Sequence, residues 1–302
     1  MDPITQRPPV FLVDASIYIF RAWYAFPDTL HDSEGMPGNA TYGFVLFLLN
    51  LLEETHAGHI MLAFDVALAG CFRNILYPAY KANRNPTPPD LLRQFDTCRS
   101  ITETLGVATV AHASYEADDL IGSTANMVRS HGMRAVVVST DKDFGQLLQP
   151  GDEQWDYARG RRWGPEGVLE RLGVRCDQVI DFLALAGDAA DNIPGVPGIG
   201  AKTSAALLQH FDSLENLLEH LDQIPSMPIR GAAGIAQRLH EHRAIALLSQ
   251  RLATIVLDAP VPQHVDDLRR GPGNPQALQH WCEYQRLGHG IRQRCMTQIG
   301  VR

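Results

Sequence analysis

PVFLVDAS (9–16) is a β-branched and aliphatic run that ends on an aspartate, and GHIMLAFDVA (58–67) and RAVVVSTDKD (134–143) repeat its form. A short, nearly continuous apolar run reads as a strand covered on both faces, the pattern of a parallel sheet. GVATVAHA (106–113) supplies a fourth run, and helical patterns over 40–55, 90–105 and 115–131 separate the four. This alternation predicts an α/β fold, a mainly parallel sheet with helices on both faces. EQWDYARGRRWGP (153–165) predicts a hairpin turning at Arg159–Gly160.

From about residue 166 the strand signal stops. GPEGVLERLG, CDQVIDFLALAGD, AKTSAALLQHF and AGIAQRLHEHRAIALLSQRLATI read as helices in close succession, and LATIVLDAPV (252–261) is expected to end on a strand. Residues 262–275, with GPGNP, read as a linker before a last short helix at about 276–287. The expected domains are an α/β core over 1–165, a helical domain over 166–260, and a segment 261–302 with no assigned role.

With 302 residues, 45% of them apolar, the chain can bury one large and one smaller core. Its longest apolar run, YGFVLFLLNLL (42–52), falls short of the ~20 residues that span a bilayer, so no membrane partner is expected. MDPITQRPP has no basic stretch leading into an apolar run, so no secretory signal is expected. The five cysteines are scattered without CxxC spacing and read as free thiols of a reducing, cytoplasmic compartment. A net charge of −8 argues against a nucleic-acid partner unless carboxylates are masked by metal. Arginine outnumbers lysine 23 to three, which marks Lys81, Lys142 and Lys202 as places that need a compact ammonium.

The carboxylates fall in a pattern. Asp14, Asp65, Asp141 and Asp143 lie at the C-terminal ends of predicted strands, the ligand-binding edge of an open α/β sheet. In YEADDL (115–120) a helix opens after Ser114 as N-cap, with Glu116 and Asp119 at i,i+3 and Asp118 beside them. Asp188 and Asp191 repeat that spacing in the helical domain. Nine carboxylates at one crevice cannot all ionise without counter-charge, and all-oxygen sites suit Mg²⁺ or Mn²⁺. Two such ions ~3.5–4 Å apart can hydrolyse a phosphodiester.

Two further stretches point to nucleic acid. FRNILYPAYKANR (72–84) offers Arg73, Lys81 and Arg84 to phosphate, Tyr77 and Tyr80 to bases, and puts Lys81 and Arg84 on one helix face. GVPGIGAK (195–202) reads as the turn of a helix–hairpin–helix: Gly195, Gly198 and Gly200 let backbone amides approach a phosphate, and Lys202 and the next helix N-terminus add charge.

LVDAS, FRAWYAFP, FR…YPAYKANR, YEADDLIG, STDKDFGQLL and DFLALAGDAADNIPGVPGIGAKTS together resemble the 5′→3′ exonuclease and flap endonuclease family. The likeness runs over about 11–255 and is closest to the 5′ nuclease domain of bacterial DNA polymerase I, here with no polymerase following. It implies a PIN-like core with a helical arch at about 76–95 and a helix-3-turn-helix DNA-binding motif. It further implies a two-metal, structure-specific nuclease that cuts DNA at 5′ flaps, nicks and 5′ ends and leaves 5′ phosphates. By position, Asp14, Asp65, Glu116 and Asp118 match one metal cluster; Asp141, Asp143 and Asp191 match the other, with Asp119 and Asp188 lining the site. Lys81 and Arg84 match the basic residues that position the scissile phosphate, Arg21 and Arg73 match basic positions nearby, and the 195–200 turn matches a duplex-binding, often K⁺-holding motif. VALAGCFRN (66–74) is less polar than the family's usual stretch. The expected partners are DNA, an RNA–DNA hybrid and a separate DNA polymerase, the chain acting as a monomer. The rival readings are a junction-binding protein with structural metal and a ribonuclease of related fold.

Overall fold

Each of the four aliphatic runs forms a strand. The computed structural model describes residues 7–66 and 70–301. The reading of the N-terminus as lacking a signal rests largely on residues outside that range, as does the middle of VALAGCFRN. In chain order the elements are β1 (Pro9–Asp14), α1 (Ala15–Ala25), α2 (Asn39–Thr55), β2 (Ile60–Phe64), α3 (Phe72–Leu76), α4 (Pro89–Thr104), β3 (Ala108–Ala111), α5 (Ala117–Ser130) and β4 (Arg134–Val138). The hairpin β5 (Glu153–Asp156) and β6 (Arg161–Trp163) follows. Then come α6 (Pro165–Leu172), α7 (Val179–Ala186), α8 (Ala201–Phe211), α9 (Leu214–Glu219), α10 (Ala232–Glu241), α11 (Arg243–Ala253), α12 (Pro275–Tyr284) and α13 (His289–Gln298).

The chain divides into two compact units. The first holds the chain up to residue 66, Pro86–Thr140 and the chain from Val256 onward. Its strands run parallel in the order β3-β2-β1-β4, with Phe11 opposite both Ile60 and Val136. β2 is buried at all five residues, as a strand covered on both faces must be. The chain steps outward from β1 through β2 to β3, then returns to the far side of β1 as β4. That reversal is a topological switch point, and right-handed crossovers place α5 on the face opposite the earlier helices. Between α1 and α2 the contact is close: a Cβ on Gly43 would stand 2.5 Å from the Phe26 ring, so only glycine lets the two helices meet there.

The C-terminal segment is part of this unit, where a linker was expected. Leu268 is fully buried, the Gly271 N–H donates to the Gly106 carbonyl at 2.7 Å, and the Arg294 guanidinium pairs with Glu53 at 2.8 Å. α13 goes beyond the single last helix read from the sequence, and among the described residues no strand follows α11. Instead the Val256 N–H donates to Asp119 and the Ala259 N–H to Ser123 Oγ, both at 2.9 Å.

The second unit holds residues 70–85 and Asp141–Ile255. Its core gathers Leu183 and Leu185 of α7 with Leu207, Leu208, Leu217, Leu239 and Leu252, each leaving water and contributing roughly 1.5–3 kcal/mol. The run AGIAQRLHEHRAIALLSQRLATI breaks into α10 and α11 at His242.

The boundary expected at 165/166 is not where the units part. Residues 141–165 join the second unit because Gln146 donates to the Ala253 carbonyl and accepts from the Ile255 N–H, while Gly145 abuts Val168 and Val179. The stretch read as an arch is divided too. Residues 76–85 belong to the second unit, where α3 ends at Leu76 and turns follow over 78–83, whereas Pro89 opens α4 in the first unit, with Leu91 and Gln94 buried.

Candidate functional site

The residues read as functional fall into two groups, one on each unit. On the first, Asp14 ends β1 and caps α1: one carboxylate oxygen accepts the Ile17 N–H at 3.4 Å and the other accepts the Ser139 hydroxyl at 3.0 Å. Asp65 follows β2; its carboxylate accepts the Ala117 N–H at 2.9 Å and its own amide donates to the Ser16 hydroxyl oxygen at 3.1 Å. Asp65 therefore fixes the start of α5 beside Asp14's strand. Glu116, not Ser114, is the N-cap of α5. Asp118 is half-buried one residue into the helix.

Asp119 departs from its expected role. It is fully buried, with one oxygen accepting the Val256 N–H at 2.9 Å and the other the Glu116 N–H at 3.1 Å. With each oxygen accepting a backbone amide, Asp119 clamps the α5 N-terminus to the segment at Val256. Arg21 lies exposed on α1.

On the second unit, Asp141 ends the extended stretch after β4, accepts the Asp143 N–H at 3.0 Å and caps a 3₁₀ turn over Lys142–Leu147. Asp188 and Asp191 are not on a helix as their spacing suggested. α7 stops at Ala186, Gly187 turns the chain at φ 73°, and Asp188 pairs with Ile193 in a short bridge that holds Asp191 at the tip of the loop. Gly195 makes this return possible: at φ 58°, a Cβ on it would stand 2.3 Å from the Gly187 nitrogen.

Cations face these carboxylates. The Lys142 ammonium pairs with Asp188 and stands 3.6 Å from Asp143, while Lys81 at 3.5 Å and Arg84 both pair with Asp191. The Tyr80 hydroxyl donates to Asp191 at 3.1 Å. Burial, then Asp141, pushes the Asp143 carboxyl up to about 8. Burial raises Asp141 as well, against the pull of the Asp143 amide. Burial also works against charge on Asp191, but Lys81 and Arg84 outweigh it and hold that carboxyl below the usual range.

Lys81 and Arg84 meet on one carboxylate, but not through a helix face. Lys81 is a left-handed turn residue at φ 54°. Tyr80 is buried and its hydroxyl is engaged, so it cannot stack on a base; Tyr77 is half-buried against the core. Arg73 does not reach phosphate either: it is 3% exposed and donates to the Leu252 and Thr254 carbonyls at 2.9 and 2.8 Å. An arginine in a basic stretch gives no sequence signal that its charge will be spent on the end of a helix 180 residues away.

The glycine-rich turn lies where it was read. Gly198 is at φ 75°, Gly200 caps α8, and Lys202 is exposed in the first turn of that helix. The Gly195 N–H, however, is already taken by the Ser249 hydroxyl at 3.1 Å.

Among the described residues no three His, Cys, Asp or Glu side chains close into a metal-holding group. The second group nonetheless suits a hard divalent cation. Asp143 Oδ1 is buried with no hydrogen-bond partner and only the Lys142 ammonium at 3.6 Å, which leaves it lone pairs for a hard cation. No helix among the described residues is long and apolar enough to cross a membrane. All five cysteines are free thiols.

Comparison with known proteins places both units. Residues 9–173 match the 5′-3′ exonuclease N-terminal resolvase-like domain, and residues 174–276 match the 5′-3′ exonuclease C-terminal SAM fold. A 5′-3′ exonuclease of Buchnera aphidicola is 35% identical over 86% of this chain and 90% of its own length. The DNA polymerase I of Bacillus caldotenax is 37% identical over 87% of this chain but only 30% of its own length, so the chain spans less than a third of that relative. A bacteriophage T5 flap endonuclease solved with DNA and metal ions shares the fold, with a TM-score of 0.65 and 19% identity over 96% of this chain and 97% of that one.

Proposed function

The chain belongs to the 5′-3′ exonuclease family, and from that premise we propose that it hydrolyses phosphodiesters at 5′ ends, nicks and flaps of DNA, leaving 5′ phosphates. The observation that carries the reading is the crowding of Asp141, Asp143 and Asp188 in one buried set, where Asp143 Oδ1 has no hydrogen-bond donor and only the Lys142 ammonium at 3.6 Å, so that a divalent cation would let the carboxylates ionise together. Asp14, Asp65, Glu116 and Asp118 would hold one divalent ion and Asp141, Asp143 and Asp191 another, Asp188 lining the second. Mg²⁺ is the proposed ion, with Mn²⁺ as substitute and K⁺ at the 195–200 turn. Bound there, divalent ions lower the pKa of the attacking water and neutralise charge on the leaving oxygen.

The chain's own groups do the rest. Arg84, whose side chain is 48% exposed, can turn one guanidinium edge to a phosphate while staying beside Asp191. Lys81, 7% exposed, is a fixed point charge behind it, suited to a phosphoryl oxygen as negative charge develops. The 195–202 turn and Lys202 hold the duplex backbone without reading sequence. The enzyme is proposed to act as a cytoplasmic monomer, with a separate DNA polymerase as partner.

The deciding experiment incubates a 5′-flap duplex, labelled at the flap end, with Mg²⁺, with Mn²⁺ and with EDTA. Metal-dependent cuts at the junction support a flap endonuclease, and release of mono- or dinucleotides an exonuclease of the same mechanism. Junction binding with no product under either metal overturns the nuclease reading.

A further inference from the structure

Beside the second carboxylate set, the hairpin and α6 enclose a cavity of about 390 Å³ lined by Lys142, Gln154, Arg161, Trp163, Arg171 and Leu172. We propose that this cavity is a subsite for one nucleoside 5′-phosphate unit, with Arg161 and Arg171 holding the phosphate and the half-buried Trp163 and Leu172 side chains receiving the base. The inference rests on the nuclease reading for its ligand class and adds to it a site outside the carboxylates and the glycine-rich turn.

The hairpin register builds the cavity. In β6, Arg161 and Trp163 are two residues apart and share a face, while Arg162 points the other way and lies over the Trp155 ring at 3.5 Å. Gln154 stands opposite Trp163 on the same face, and its side-chain amide donates to the Asp141 carbonyl. One cross-strand pair therefore ties the cavity wall to a residue of the carboxylate set. Gly167 lets α6 close against the hairpin, since a Cβ there would stand 2.4 Å from Trp163 Cβ.

The charge is unspent. Arg161 is exposed and makes no ion pair among the described residues, and Asp156, opposite it, is taken by Arg159 at 3.0 Å. Arg171 also makes no ion pair there; its guanidinium stacks over Trp163 at 3.9 Å. A stacked guanidinium keeps its in-plane N–H groups free for a planar or tetrahedral oxyanion. Two unneutralised arginines, an indole and a cavity within the ~300–1,000 Å³ of small-ligand sites match a phosphate joined to a flat apolar base.

The test uses the full chain in EDTA, where no cleavage occurs, and follows tryptophan fluorescence on adding either deoxyadenosine 5′-monophosphate or a 5′-phosphorylated pentathymidine strand. Wild-type protein is expected to bind, and Arg161→Gln and Arg171→Gln each to weaken binding by about tenfold or more, the scale of one charge-assisted hydrogen bond. Binding of the mononucleotide as tightly as the strand assigns the cavity to released product; preference for the strand assigns it to a nucleotide of the substrate. Both variants binding both probes as tightly as wild type overturns the subsite. Flap cleavage by the same wild-type protein with Mg²⁺ is scored separately: its loss sinks the nuclease reading, whereas its persistence beside unaltered probe binding sinks only the subsite.

Discussion

Lys81 and Asp191 meet twice: the Lys81 amide donates to the Asp191 carbonyl at 2.9 Å, and the Lys81 ammonium stands 3.5 Å from the Asp191 carboxylate. The backbone bond fixes a left-handed residue against the loop that carries Asp191, so the side-chain contact is set by the fold and not by a flexible stem. A buried carboxylate and a buried ammonium are thereby delivered as a unit, each offsetting part of the other's desolvation.

Replacing Lys81 with alanine is expected to slow the chemical step of flap cleavage by roughly 100-fold, the scale of removing one fixed electrostatic group from a reacting centre. Duplex affinity should change little. Single-turnover rates and direct binding, measured together, check this; a loss confined to affinity would reduce Lys81 to a steering charge.

Asp118 and Asp119 are neighbours with opposite expected consequences. Asp119→Ala strands two buried backbone N–H groups and should cost about 2–4 kcal/mol of stability. Asp118→Asn should leave the denaturation midpoint nearly unchanged while cutting turnover by roughly 100-fold. Urea unfolding beside flap-cleavage rates separates the two.

Gly195→Ala forces a Cβ onto the Gly187 backbone at positive φ and should destabilise the fold by roughly 2–4 kcal/mol. Gly200→Ala has open space around it and a φ of −102°, so its cost should stay near about 0.5 kcal/mol. A comparison of melting temperatures would show the difference, and equal losses would contradict the close approach.

Asp32 gives the first unit an acid-sensitive tie. It is buried, accepts the Glu34 and Met36 amides at 3.0 and 2.9 Å, and pairs with Arg93 at 2.6 Å. Burial opposes its charge, but the Met36 amide and Arg93 outweigh it, and the carboxyl lies below the usual aspartate range. A depressed folded pKa means stability that is fully present above the unfolded value of about 3.9 and is lost as pH falls through the folded one. Asp32→Ala should therefore cost about 3 kcal/mol at neutral pH, with the gap to wild type closing below about pH 4. Denaturant midpoints at pH 7 and pH 3 measure that closure.

A divalent ion that binds only the folded chain should raise its melting temperature. At a hundredfold excess over Kd the gain is about 2.7 kcal/mol, or about 5 °C for a chain of this size. EDTA should abolish the rise, and Asp143→Asn should reduce it. An unchanged melting temperature with millimolar Mg²⁺ would count against Asp143 as a ligand.

The local chemistry was legible in the sequence because it is carried by periodicity and spacing. Aliphatic runs ending in Asp14 and Asp65 became parallel strands with their carboxylates at the C-terminal edge, and Gly160 turned the hairpin where it was read. Those patterns report which side of a strand is buried and where the backbone must reverse, and both are short-range properties.

What the sequence could not report was the partner of each charge. Arg73, Tyr80 and Asp119 carry the residue types of a binding site, yet long-range contacts spend them on the Leu252 carbonyl, the Asp191 carboxylate and the Val256 amide. Nor did spacing reveal that 262–275 is anchored by Leu268, because that residue is one apolar side chain among polar neighbours and its burial depends on surfaces built far away in the chain. The sequence by itself determined the parallel strands, the glycine-rich turn and the family. Only the tertiary structure decided which charges stay available for a ligand, since a buried polar group takes whatever partner the fold brings to it.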